Sequence, residues 1–258
     1  MNAAADGSDV SLLELCDAEV ASTSNPGTSS LAGVNWAVQR NDFWVVGGLL
    51  GSGKSDLLST LVGVLPLNSG RLLLDGAEIT GRGGPRADAG AQFRTGLVHD
   101  GGLLFAHLSV AENVALPLQY HHNVSFADAA DRAGAWLEAV GMGGMAELPS
   151  TRISRNWAQR ASLARACILQ PEILLLDNPL TGLDPVHARW WMDFLGQLWT
   201  GHPLMAYRRA TLIATCDDFS PWWGEGRRFA MLSNGRFRTV VEPISRQELS
   251  DCLAANHR

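Results

Sequence analysis

No apolar run in this sequence approaches the ~18 residues expected of a membrane-crossing helix, so no segment is expected to span a bilayer. The opening stretch MNAAADGSDV has neither a basic region nor an apolar core. It is read as a frayed tail rather than a signal peptide. Cysteine is sparse. Cys16, Cys167, Cys216 and Cys252 lie far apart with no CxxC, which gives neither a zinc framework nor a disulfide scaffold and suits a reducing compartment. Charge is sparse too, at 18% of residues against a norm of ~25%. The net charge of −6 argues against a general nucleic-acid binder, so no nucleic-acid partner is expected. No internal repeat or low-complexity tract is present. What remains is 258 residues, 46% of them hydrophobic, enough for one large domain or two small ones with a sizeable core. Nine tryptophans are unusual, and are read as core or partner-contact residues.

The chain is organised around GLLGSGKS at 48–55, which fits G-x-x-x-x-G-K-[ST], the phosphate-binding P-loop. WVVGGLL before it looks like a buried strand, and DLLSTLVGVL after it has helical apolar spacing. Gly48, Gly51 and Gly53, with Ser52 between them, let backbone N–H groups turn toward phosphate oxygens, aided by the helix N-terminus. Lys54 is expected to reach the outer phosphates and Ser55 to offer its hydroxyl to Mg²⁺. A second component is EILLLD, where Asp177 ends an apolar strand. A carboxylate there suits Mg²⁺ opposite the P-loop.

Elsewhere, residues 11–44 read as short strands broken by STSNPGTSS, and 68–80 as a hairpin turning on Asp75-Gly76. Residues 81–92 read as loop and TGLVHD as a strand. Residues 103–160 look mostly helical. In FADAADRAGAWLEAVG, Ala133, Trp136, Leu137 and Val140 share one face. Then follow the helix SLARACIL, the helix PVHARWWMDFLGQLW, the strand ATLIATC, a hairpin on Asn234-Gly235 and a closing helix SRQELSDCLAAN. Strands alternating with helices point to an α/β core with a largely parallel sheet. His121-His122 is read as a solvated loop pair rather than a metal site. Trp190 and Trp191 are expected to split between core and surface, and Trp222-Trp223 to mark an exposed patch. Trp157 is read as either a partner contact or filler. Arg71, Arg82 and Arg86 are read as solvated loop charges.

The run ARACILQPEILLLDNPLTGLDP (164–185) resembles the corresponding segment of ABC-transporter ATPase domains, and the resemblance extends over roughly residues 12–249. GLLFAHLSVAENVALPLQYHHNVS (102–125) is similar to ATPase subunits of Mce/Mla-type phospholipid transporters. The resemblance implies a P-loop NTPase (RecA-like) α/β core with an antiparallel β subdomain and a helical subdomain near 103–160, all within a single ABC ATP-binding domain over 1–258. It implies ATP and Mg²⁺ as ligands and transmembrane permease subunits as partners. It also implies a homo- or heterodimer of ATPase domains, peripheral on the cytoplasmic face of the membrane.

In that family one subunit supplies the P-loop, Walker B and switch residues, and the other supplies the signature. This chain departs at several of these positions. Asp56 stands where a threonine usually meets the α-phosphate. His99 stands at the Q-loop glutamine, with Asp100 the neighbouring carboxylate that takes its place if the loop shifts. In the signature Ser154 is kept, but Arg155 and Asn156 replace the two glycines. Asn178 stands at the catalytic glutamate and Cys216 at the switch histidine. The D-loop keeps Asp184. No aromatic occupies the adenine-stacking place near residues 19–21.

Asn178 cannot accept a proton from water, and loss of a positioned base typically costs roughly 10²–10⁴-fold. Cys216 presents no imidazole N–H. Arg155 and Asn156 obstruct close backbone approach to a partner's nucleotide, although Arg155 keeps the chemistry to pair with a phosphate. An Asp56 carboxylate facing the α-phosphate would oppose binding by up to ~4 kcal/mol at ~4 Å, less if the side chain rotates outward. His99 offers nitrogen where Mg²⁺ prefers oxygen. The preferred reading is therefore an ATP-binding transporter subunit, of lipid type, with hydrolysis weak or lost. The alternatives are an active ATP-hydrolysing subunit and a soluble P-loop regulatory module without a permease.

Overall fold

A computed structural model describes residues 10–79, 94–240, 247 and 251. The expected tail, the loop at 81–92 with Arg82 and Arg86, and nearly all of the closing helix with Cys252 lie outside the described residues. Two sheets carry the fold. The first is antiparallel, in the order β2-β1-β4-β5, from β1 (Leu13–Ala21), β2 (Ser29–Val38), β4 (Leu67–Leu74) and β5 (Ala77–Glu78). β1 and β2 run nine and ten residues, longer than the short strands expected. The second sheet has the order β10-β9-β3-β8-β7-β6. Its strands are β3 (Phe43–Gly48), β6 (Thr95–Val98), β7 (Ile173–Leu176), β8 (Thr211–Cys216), β9 (Arg227–Ser233) and β10 (Arg236–Val240). They pair in parallel from β6 through β9, and β10 returns antiparallel on the Asn234-Gly235 turn.

The central strands are apolar on both faces because each face meets its own core. Phe43 and Val45 join one core with Leu174, Leu176, Leu212 and Ala214. Trp44 and Val46, one residue out of phase, join the other with Ile173, Leu175 and Ile213. The first core is covered by α2 (Val110–His122), α3 (Phe126–Ala139), α4 (Arg155–Cys167) and α5 (Pro185–Thr200). The second is covered by α1 (Lys54–Leu61) and the antiparallel sheet. Ala133, Trp136, Leu137 and Val140 are all buried, as their spacing predicts.

α2 starts on a reciprocal capping box between Ser109 and Glu112. It runs through His122, so the histidine pair lies in its last turn and not in a loop. The helix continues through Pro117. Trp191 is buried and Trp190 partly so, whereas of Trp222-Trp223 only Trp223 is exposed. Among the described residues no helix is long and apolar enough to cross a membrane.

The parallel register brings functional ends together. Gly47 pairs with Cys216, Leu176 with Ala214 and Val98 with Leu176. The loops leaving β3, β6, β7 and β8 therefore open at one edge, the crevice where open α/β sheets bind ligands. Gly102 fixes the loop after β6 against α4. Its φ is +86°, and an added Cβ would lie 2.4 Å from the Ala158 carbonyl oxygen. Gly102→Ala is expected to destabilise the protein by about 1–3 kcal/mol through strain and steric displacement, read as a lower urea midpoint. An unchanged midpoint would contradict this placement.

Candidate functional site

The loop between β3 and α1 forms a cradle. Gly51 and Gly53 have φ of +78° and +92°, conformations that suit glycine. Gly53 is the N-cap of α1 and supplies no side-chain cap. The first α-helical backbone bond runs from Leu57 N–H to the Gly53 carbonyl. The first-turn amides of α1 are thus left for an outside acceptor. Gly48 leaves room for Ser52, whose Oγ would lie 2.3 Å from a Cβ placed there. That hydroxyl is buried with no hydrogen-bond partner among the described residues. Uncommitted donors around a glycine-lined turn fit a phosphate chain.

Lys54 is 6% exposed. Its ammonium donates to the carbonyl oxygens of Gly48 at 2.6 Å and Leu49 at 2.9 Å. It also pairs with Asp217 Oδ1 at 2.9 Å. Across the crevice, Asp177 accepts from Ser55 Oγ at 2.7 Å and from Thr215 Oγ1 at 2.9 Å. Ser55 Oγ and Asp177 thus present adjacent hard oxygens, a donor set that suits Mg²⁺. Thr215 also receives the Asn178 backbone N–H at 2.9 Å. Asn178 has φ of +48°, which asparagine tolerates better than most residues. Its amide nitrogen donates to Asp217 at 3.2 Å, and its Oδ1 is buried without a partner among the described residues.

The buried Cys216 thiol is pushed well above its ordinary range by desolvation, with Lys54 pulling the other way. It remains a neutral thiol. Burial lowers the His99 pKa, Asp177 opposes that shift and Arg165 adds to it, so the imidazole is neutral at pH 7.

Two of the replaced positions, Asp56 and Arg155, find partners inside the chain. Asp56 does not face the cradle. Its Oδ1 accepts from Thr23 N–H at 3.2 Å and from Thr23 Oγ1 at 2.5 Å. A carboxylate only 7% exposed takes the nearest donors, and the expected opposition to an α-phosphate is relieved by that rotation. Arg155 does not extend outward for a phosphate. It pairs with Asp100 and donates to the Thr181 carbonyl oxygen at 3.4 Å. Asp100 is therefore tied to Arg155. Ser154 caps α4 without a side-chain bond among the described residues, and the Asn156 Oδ1 is buried without a partner among them. Asp184 caps α5 through the N–H groups of Val186 and His187. That capping, followed by the His187 ring, holds the Asp184 carboxyl below its usual range.

The family model for ABC transporter matches residues 31–181. This chain belongs to the ABC transporter family. It is 32% identical over 170 residues to the taurine import ATP-binding protein TauB of Pelagibacter ubique, covering 66% of this chain and 60% of that one. It is 34% identical over 153 residues to the intermembrane phospholipid transport system ATP-binding protein MlaF of Haemophilus influenzae, covering 59% and 58%. The chain thus spans about three-fifths of the length of these curated relatives. Among solved structures, the dimeric post-hydrolysis form of the ATP-binding cassette MJ0796, bound to ADP and phosphate, matches with a TM-score of 0.76 at 22% identity. That match covers 90% of this chain and all of the other. CbiO1 from Clostridium perfringens, described as part of the transporter complex cbiONQ, matches at 0.70 and 23%, covering 90% and 87%. At those identities the likeness is one of fold.

Within this ABC-family fold, sequence reasoning brought out the P-loop and Asp177 but missed Thr23, Thr215 and Asp217. Asp217 had a signal, a pair of acids leaving a buried strand next to the P-loop strand. Thr23 had none, because its contact with Asp56 is long-range. Thr23→Val removes the hydroxyl donor from a buried carboxylate. It is expected to cost about 1–3 kcal/mol, measured by chemical denaturation. Wild-type stability in the variant would contradict that contact.

Proposed function

We propose that this chain is an ATP-binding subunit of a membrane transporter in which hydrolysis is weak or lost. One observation carries the reading: Lys54, Ser55 and Asp177 form a phosphate- and Mg²⁺-compatible cradle, while an amide, Asn178, stands beside Asp177 where the resemblance implies a carboxylate. Lys54 and the first-turn amides of α1 would offset phosphate charge, and Ser55 with Asp177 would hold Mg²⁺. The bound ion would supply electrostatic neutralisation of the phosphates. Asn178 can orient water but cannot take its proton. Cys216, buried and neutral, adds no charge opposite a terminal phosphate. Nucleotide binding and dimerisation, rather than turnover, would then be the working steps. The functional residues are those of one ATP-binding domain spanning the chain, with a helical subdomain near 103–160.

Lipid transport is the preferred substrate class, supported by the MlaF relatives and the segment at 102–125. Transmembrane permease subunits and a second ATPase domain are the proposed partners, with the chain peripheral at the cytoplasmic membrane face. A second reading, active hydrolysis, is favoured by the Asp217 carboxylate, a group of basic type 3.2 Å from the Asn178 amide.

Phosphate release by the purified protein with Mg-ATP separates the two. The proposal expects turnover at least about 10²-fold below an ordinary family ATPase, the low end of the loss for a missing base. It also expects no recovery in the Asn178→Glu, Cys216→His double variant while Arg155 and Asn156 remain. Brisk release by the unaltered chain would overturn it.

A further inference from the structure

The P-loop ammonium is already paired with an anion from its own chain. Lys54 has three donors. Two go to carbonyl oxygens of the P-loop and its strand, and the third goes to Asp217. The Asp217 carboxylate also takes the Asn178 amide through both oxygens, at 3.3 and 3.2 Å. It therefore lies between the P-loop lysine and the residue following Asp177. A terminal phosphate on that lysine would need the same ground. The next acid, Asp218, has a different duty, because its Oδ1 accepts the Ser220 N–H at 2.8 Å and shapes the turn. Lys54 is the chain's one lysine, so no second ammonium is available for the displaced anion.

From this arrangement we infer that Asp217 is a built-in competitor of a nucleotide's terminal phosphate, and that the P-loop takes a nucleoside diphosphate in preference to a triphosphate. A diphosphate can occupy the first-turn amides of α1 and leave the Lys54–Asp217 pair in place. A triphosphate brings further negative charge against Asp217 and must push the carboxylate off Lys54 and Asn178. Asp217 is 44% exposed, so it can swing into water. The block is a bias and not a wall. The inference rests on the proposal that the P-loop binds nucleotide, and it adds a ligand preference and a residue that sets it.

Calorimetric titration with ADP and with a non-hydrolysable ATP analogue, both with Mg²⁺, tests this without any turnover. The wild-type protein is expected to bind ADP more tightly. Asp217→Asn keeps the shape but removes the charge. It is expected to raise the affinity for the triphosphate analogue relative to ADP about ten-fold, by removing a like charge that competes for one ammonium. Asp217→Ala should shift the ratio in the same direction, and Asp218→Asn should leave it unchanged. An unchanged ratio in both Asp217 variants would overturn the inference alone, as would an equal shift in Asp218→Asn. Binding of neither ligand to any of these proteins, or binding of the triphosphate analogue unaffected by Lys54→Ala, would overturn the P-loop reading and the inference together.

Discussion

A buried ammonium needs acceptors, and the arrangement of this molecule's ligand edge follows from how Lys54 finds them. The last residue of β3 and the one after it supply two carbonyl oxygens, and the residue after β8 supplies a carboxylate. Burying a charge without such partners is costly. The three can converge only because β3 and β8 are adjacent, parallel and in register at Gly47 and Cys216. Two apolar cores, one on each sheet face, hold that register. The chemistry at the edge is thus a consequence of strand order.

The altered motif positions share a pattern. Asp56 turns to Thr23, Arg155 to Asp100 and Asn178 to Asp217. In each case a polar side chain that departs from the family's pattern finds a partner within the chain, although the Asn178 Oδ1 is left without one among the described residues. Arg160 shows a related economy deeper in α4. Its guanidinium lies 3.5 Å over the Trp190 ring and 4.7 Å from that of Trp157, and burial lowers its pKa to about 10. Cation–π contact takes the place of a carboxylate there. Trp157 thus packs against an intrachain cation. The N-terminal part of α4 is held by Arg155 to two loops and by Arg160 to α5.

Much of the fold was legible because it is written in local periodicity. The runs FWVVGG, ILLL and TLIATC are buried on both faces, as continuous apolar strands between two layers must be. Asn234-Gly235 and Asp75-Gly76 both carry the positive φ values that their hairpin turns require. Within the site, the glycines of the P-loop and the strand-ending Asp177 were legible for the same reason. What was not legible depends on rotamers and on long-range approach. Sequence places Asp56 beside a phosphate position but does not say that Thr23 will reach over it. It marks Arg155 as a departure but does not say that Asp100, 55 residues away, will take its charge. His121 and His122 read from sequence as a loop pair between helical pieces, yet α2 runs through both.

The most direct test is a crystal structure of the nucleotide-free protein, read at one distance. Asp217 should be found within about 3 Å of Lys54 Nζ, in hydrogen-bond contact, with the Asn178 amide turned toward the same carboxylate. A Lys54 more than about 4 Å from Asp217, with that carboxylate turned to solvent, would remove the ion pair and contradict the account.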